Sequence, residues 1–288
     1  MKTENRTMPD GQPGQPGQPG QPSILVMEKA VRVLDCFTTD HTRLSLSDIR
    51  RLTGMPNSTV ARLVRTLVAS DVLQKTGDDY CVGLRVLGWA SAASAGSDLL
   101  VAAEPVAARL RDVTGETAGV HVRRGTTRVA VIVKLSRRSI IYRGDVGQHM
   151  PMHAGAAGKV IMAYDERVLN AILLETADQV PGRSRIALDR QLEFVRANGW
   201  LMTEEEREPG LNSLAAPVFD ASGAVVAALG IGGPSFRLDR ATAEDFGPLV
   251  ADSAHALSRR LGYGGTPAER VPGGATGEAA GSVPRARG

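Results

Sequence analysis

Apolar positions between Leu44 and Val82 recur at helical spacing and are interrupted by one glycine. From Gly54 to Val68 they fall at Val60, Leu63, Val64, Leu67 and Val68. That i, i+3, i+4, i+7, i+8 series is the stripe of a helix with one buried face. The opposite face holds Ser58, Arg62, Arg65 and Ala69, with two arginines and no acid. Upstream, Ser45-Leu46-Ser47-Asp48 has a capping-box pattern and opens a shorter helix with Leu46, Ile49 and Leu52 inward. Gly54 ends it, because only glycine enters the left-handed region cheaply. Val72–Lys75 and Tyr80–Val82 read as short strands around the turn Thr76-Gly77-Asp78-Asp79. Helix, glycine turn, helix and hairpin make a winged helix-turn-helix. An ordinary three-helix subdomain with a hairpin shares the pattern.

Before this block, Ser23 is placed to cap a helix with Met27, Ala30, Val31, Leu34 and Phe37 on one side. After it, Leu84–Ala95 is a helix of small residues with Trp89 as its one large anchor, suited to close helix contact. Residues 99–114 form an amphipathic helix stopped by Gly115. Gly119–Val122, Arg128–Lys134 and Ser139–Tyr142 read as strands. Ala156–Tyr164 and Glu166–Thr176 read as helices, Gln179–Ile186 as a loop, and Leu188–Ala197 as a helix ended by Gly199. Strands Ser213–Phe219 and Ala224–Ile231, joined by Asp220-Ala-Ser-Gly223, lead to a last helix over Thr242–Leu261. This order predicts an α+β domain. The expected layout is 1–22 a disordered Gly-Gln-Pro tail, 23–83 the winged helix, 84–98 a linker helix, 99–262 the α+β domain and 263–288 a disordered tail.

Composition changes little. The 288 residues carry a formal net charge of +3 and a pI near 9.1, which suits a nucleic-acid partner without demanding one. The local imbalance says more: residues 41–70 hold five arginines and one aspartate. Cys36 and Cys81 are too few for a disulfide framework or a zinc cluster. No apolar run approaches a membrane span and no signal-peptide segment stands at the N-terminus. A cytoplasmic protein with no membrane partner is the expectation.

Chemistry is sparse. The run His153–Lys159 is glycine-rich, but a phosphate loop needs G-x-x-x-x-G-K-[ST], and here His153 and Val160 break it. What remains is a small-residue loop entering a helix, whose N–H groups can meet an anion or a polar ligand atom. His121 and His153 can face one cavity, with no third metal ligand at suitable spacing. Glu204-Glu205-Glu206 reads as a solvated loop. No catalytic set and no cofactor are expected; an enzyme built on the α+β domain is the rival reading. On the basic helix, Ser58 and Arg62 lie where base edges are met, and Arg62 can grip a guanine. Arg65 can reach a base or a phosphate, Asn57 and Thr59 suit a cap or a phosphate contact, and Arg43 and Lys75 suit the DNA backbone.

Three blocks in order carry a resemblance. Leu46-Ser-Asp-Ile through Thr53-Gly-Met-Pro-Asn-Ser-Thr-Val-Ala-Arg62-Leu resembles the DNA-binding domain of the IclR family of bacterial transcriptional regulators, and Tyr80-Cys-Val-Gly83 its wing. Pro151–Lys159 resembles the start of that family's effector-binding core, and Gly199 to Asp220 its C-terminal part. The likeness covers residues 23–262. It implies a GAF- or profilin-like α+β domain with about six antiparallel strands, and a homodimer or dimer of dimers joined through the DNA-binding domain and linker. It implies a near-palindromic double-stranded DNA operator and a small-molecule effector. The effector would sit against Ala156, Ala157, Thr203, Ser213, Gly230 and Gly232. Carboxylate-binding relatives carry hydroxyls at the last two, so the glycines here imply room for a bulkier or less anionic ligand.

Overall fold

The structure is a computed structural model that describes residues 24–175 and 182–265. The expected tails therefore lie outside the described residues, apart from 263–265, as does Ser23. The chain divides between Ser91 and Ala92 into two compact units.

The first unit contains α1 (Leu25–Leu34), β1 (Leu44–Ser45), α2 (Leu46–Thr53), α3 (Asn57–Ala69), β2 (Leu73–Thr76) and β3 (Asp79–Val82), followed by α4 (Arg85–Ala95). The capping box forms: Ser45 Oγ accepts the Asp48 N–H and the Asp48 carboxylate accepts the Ser45 N–H. Gly54 closes α2 at φ 66°. Val60, Leu63 and Val64 of α3 pack on Val33, Leu44, Ile49 and Leu73 in one core. The wing is the β2–β3 hairpin, with β1 paired to the far side of β3. α1 follows its expected stripe only in part: Ala30, Leu34 and Phe37 pack against the same core. Val33 is its buried residue, while Met27 and Val31 are 61% and 50% exposed. The run LVMEKAVRVL is apolar on several sides, so periodicity alone does not choose its inward face. α4 buries no residue, and Leu84, Leu87 and Trp89 lie exposed.

The second unit contains α5 (Asp98–Thr114), β4 (Thr117–Arg124), β5 (Thr127–Lys134), β6 (His149–Pro151), α6 (Ala156–Met162), α7 (Glu166–Glu175), α8 (Gly182–Asn198), β7 (Leu201–Glu204), β8 (Leu211–Phe219), β9 (Val225–Pro234) and α9 (Arg240–Arg260). Six antiparallel strands lie in the order β6-β5-β4-β9-β8-β7. Strand alternation sorts the faces. Ala118, Val120, Val122, Leu214, Val218, Leu229 and Ile231 join α5 and α9 in the larger core. Ala215 and Ala228 turn to the other face and meet α6, α7 and α8. Between Val120 and His121 the β4–β5 register slips by one residue, a bulge that re-aims the following side chain.

Two sequence expectations change, and one strand went unread. Ser139–Tyr142 is irregular; the third strand is β6 instead. Side chains hold that segment where a ladder would: Thr117 Oγ1 donates to the Tyr142 carbonyl and Arg237 Nη2 to that of Ile140. Gly182–Ile186 is the start of α8 and not a loop, with Arg185 and Asp189 paired one turn apart; residues 179–181 of that expected loop lie outside the described residues. β7 is an edge strand of four residues, too short to announce itself by alternation. Among the described residues no single helix is long and apolar enough to cross a membrane.

Candidate functional site

Two places concentrate functional side chains, one in each unit. In the first, α3 presents Asn57, Ser58, Arg62 and Arg65 to solvent, with Thr59 half-buried. Pro56 is the N-cap and no side chain bonds to it, so neither Asn57 nor Thr59 acts as the cap. Arg43 precedes β1 and Lys75 lies on β2, both exposed. Arg65 and Lys75 line one shallow groove with Leu46, Ala61, Val68 and Tyr80. Arg43, Arg62, Arg65 and Lys75 meet no carboxylate among the described residues, whereas Arg51 on α2 pairs with Asp48 at 2.9 Å. The outer face of α3 is therefore a row of unneutralised cations and small polar groups on a rigid cylinder. Such a face fits the major groove and its flanking phosphates.

In the second unit, the sheet face opposite α5 and α9 carries a narrow, partly open cavity. Ala157, Thr203, Ser213, Gly230 and Gly232 line it. Ala156 does not; its N–H donates to Ser213 Oγ at 3.1 Å, and Ser213 and Thr203 share a 2.8 Å hydroxyl contact. The two glycines leave no free room. A Cβ on Gly232 would fall 2.8 Å from the Tyr142 ring, and one on Gly230 would fall 2.4 Å from the Leu214 carbonyl. The space expected for a bulkier ligand is taken by Tyr142 and by the neighbouring strand.

The acidic run also splits. Glu204 pairs with Arg240 near the surface, but Glu206 turns inward. Its carboxylate accepts the Gly155 N–H at 3.0 Å and meets Lys159 Nζ at 2.5 Å, and Lys159 also donates to Gln191 at 2.7 Å. Lys159 is buried, and burial pulls its pKa down against the pull of Glu206. The loop N–H groups expected to receive a ligand, those of Gly155 and Ala156, are thus already bound by Glu206 and Ser213.

Sequence reasoning missed much of the wall: Thr117, Arg128, Tyr142 and Arg207 all line the cavity. Strand parity offered a partial signal, since Arg128 alternates with Ala130 against Val129 on β5. Of the two histidines expected to face one cavity, only His121 lines it. Burial, with the charges of Arg128 and Arg207, pushes His121 down to about 3, so its ring is neutral at pH 7. His153 is also lowered, first by burial and then by Lys159. Burial and then Arg207 bring Arg128 down to about 10, which leaves it cationic at neutral pH. Arg207 lies over the Tyr142 ring at 4.8 Å and donates to its hydroxyl at 2.5 Å.

Comparison with known proteins agrees with this division. The IclR helix-turn-helix domain family matches residues 26–77, and the bacterial transcriptional regulator IclR C-terminal family matches residues 92–259. The HTH-type transcriptional repressor AllR of Escherichia coli K12 is 32% identical over 260 residues, covering 88% of this chain and 96% of the repressor. AllR of Salmonella typhi is 30% identical over 259 residues, covering 88% and 95%. An IclR transcriptional regulator from Alicyclobacillus acidocaldarius superposes with a TM-score of 0.75 at 22% identity, over 83% of this chain and 100% of that one. An IclR homolog from Microbacterium hydrocarbonoxydans, solved with 4-hydroxybenzoate, superposes with a TM-score of 0.71 at 23% identity, over 82% and 98%. With both family matches in sequence order and a repressor aligned over nearly its whole length, the chain belongs to the IclR family of bacterial transcriptional regulators.

Proposed function

We propose that the protein acts in the cytoplasm as a homodimer, or a dimer of dimers, on a near-palindromic operator, and that a small molecule in the second unit's cavity sets its affinity for DNA. Residues 23–83 read as the DNA-binding domain, 84–98 as a linker and 99–262 as the effector domain. Asn57, Ser58, Thr59, Arg62 and Arg65 meet the groove, and Arg43 and Lys75 meet the backbone. The effector lies against Ala157, Thr203, Ser213, Gly230 and Gly232, with Ala156 acting through its N–H. The observation that carries the reading is the outer face of α3, whose two arginines meet no acid. The exposed apolar side chains Leu25, Met27, Leu84, Leu87 and Trp89 support self-association. The 4-hydroxybenzoate held by the Microbacterium homolog supports a small-molecule effector.

Control then follows from linkage: a ligand that favours one arrangement of the dimer shifts DNA affinity by its differential binding. In this reading the chain is a regulator and not an enzyme, and turnover that survived purification but was lost in a cavity variant would overturn that. The direct test is fluorescence anisotropy against the upstream intergenic DNA, beside a random duplex of equal length at near-physiological salt. The upstream DNA should bind preferentially. Equal affinity for both, with and without a panel of metabolites, would sink the operator reading.

A further inference from the structure

The cavity of the second unit is too narrow for a metabolite. It encloses about 50 Å³, against the roughly 300–1,000 Å³ of ordinary ligand pockets. Glu206 and Arg207 both line it, and both come from the segment between β7 and β8, residues 205–210. Side chains hold that segment down on two sides. On one side the Glu206 carboxylate accepts from the Gly155 N–H, Lys159 Nζ and Gln191 Nε2, so it grips α6, the loop before it, and α8. On the other, Arg207 Nη1 donates to the Tyr142 hydroxyl at 2.5 Å and to the Met150 sulfur at 3.2 Å. The backbone contributes little. Among the described residues, the one main-chain hydrogen bond of residues 206–209 runs from the Leu211 N–H to the Glu208 carbonyl at 3.3 Å. The ends are pinned instead. The Glu205 N–H reaches the Leu211 carbonyl and Asn212 Oδ1, both at 3.0 Å, and the Gly210 carbonyl accepts the Ser235 N–H at 2.8 Å. Both end residues stand at positive φ, 50° for Glu205 and 80° for Gly210.

Resting on the effector reading above, we propose that residues 205–210 are a lid over the cavity, that the structure is its closed state, and that the lid must swing out before a ligand enters. The swing turns about Glu205 and Gly210, since a rotation of this kind is taken up by a few residues at the ends of a segment. The two latches are unequal. Lys159 is 5% exposed with Glu206 as its counterion, so lifting Glu206 strands a buried cation. Arg207 is already partly exposed and exchanges its hydroxyl contact for water. Opening therefore starts at Arg207, and the Glu206–Lys159 pair draws the lid back. Once Arg207 withdraws, Tyr142 loses the partner of its hydroxyl, and its ring is released from its place over Gly232. Ligand exchange then runs at the rate of lid opening and not at that of diffusion.

The test reads access and uses no effector. One thiol is placed in the cavity wall as Ala130→Cys, in the full chain with Cys36→Ser and Cys81→Ser, and its labelling by the neutral reagent 4,4′-dithiodipyridine is timed at pH 7.5. Ala130 is buried and lines the cavity. Adding Arg207→Ala should speed labelling about tenfold or more, the span of a hydrogen bond to a charged group. Tyr142→Phe keeps the ring, drops the hydroxyl and should speed it less. The urea midpoint of each variant should fall too little to account for the gain. An unchanged rate in Arg207→Ala overturns the lid, and so does a gain no larger than the loss of global stability explains. If the Ala130→Cys chain does not fold, deuterium exchange of Arg207→Ala beside the wild type decides. Exchange should quicken at Gly155, whose N–H Glu206 holds, and stay as slow as before at Leu257 in α9. Equal protection of Gly155 in both chains overturns the lid. None of these outcomes bears on the effector reading, which stands or falls by the operator assay with its metabolite panel.

Discussion

The winged helix and the α+β unit each display arginines with no acid beside them, in opposite solvents. Arg62 and Arg65 stand in water on the outer face of α3, while Arg128 is sealed into a sheet wall. In water an unpaired guanidinium costs little, and a row of them addresses a polyanion through long-range, salt-sensitive attraction. Inside the protein the same group is costly to leave without a counterion, and Arg128 is held there by the carbonyls of Pro151 and Ala154. The difference teaches that the meaning of an unpaired charge is set by its burial and not by its residue type.

The largest expected contrast is in ion pairs. Glu206→Ala strands Lys159 inside the α+β unit and should lower that unit's stability by about 3 kcal/mol, seen as a reduced urea midpoint. Arg51→Ala breaks the exposed Arg51–Asp48 pair and should leave the urea midpoint of the winged helix almost unchanged. Similar costs for the two would erase the distinction between the regions.

Acid should separate the units next. His121 titrates near 6.5 when unfolded and near 3 when folded. Below pH 6.5 the unfolded chain takes up a proton that the folded chain refuses, so stability falls as pH drops toward 3, by roughly 2 kcal/mol at pH 5. Asp48 works in the other unit and over a lower range. Ser45 and then Arg51 hold its carboxyl at about 2 against an ordinary 3.8, so its contribution is complete above 3.8 and is lost as pH falls toward 2. Urea unfolding followed by methyl NMR signals of Val120 and Val60 at pH 7.5 and 5 should show the α+β core weakening first. A simultaneous loss, or an earlier one at Val60, would contradict this.

On DNA, Arg62→Ala should weaken operator binding by roughly 1–3 kcal/mol and relax preference at one base position, with folding intact. An equal loss on random duplex would make Arg62 a phosphate contact. Arg65→Ala is the smallest effect. It should weaken all sequences alike and reduce the slope of log affinity against log salt by about 1; a sequence-dependent loss would promote Arg65 to a base reader.

Legibility followed the same division as the charges. The capping box at Ser45, the turn at Gly54 and the inward stripe of α3 are local, fixed within a few residues, and they appear as the sequence predicts. The stripe of α1 held in part: Ala30, Leu34 and Phe37 pack on the core, while Met27 and Val31 stay exposed, because neighbours as well as periodicity choose which apolar side turns in. On the α+β unit, the strands β4, β5, β8 and β9 were readable from alternation and turns, whereas β6 and β7, at three and four residues, gave too little pattern. The expected pocket positions Ala157, Thr203, Ser213, Gly230 and Gly232 converge on one cavity, and Ala156 stands behind them.

By itself the sequence determined the local devices: the capping box and helices of the winged helix, where glycine stops them, and which face of α3 carries charge without acid. These depend on residue spacing and on side-chain reach of one helical turn. Only the tertiary structure decided that Glu206 turns inward to Lys159 while Glu204 stays near the surface. It alone decided that Tyr142 covers Gly232, and that Arg128 and Arg207 meet across a methionine. Those pairings join residues from about 20 to 90 positions apart, and sheet register and loop paths fix them, which no local pattern encodes.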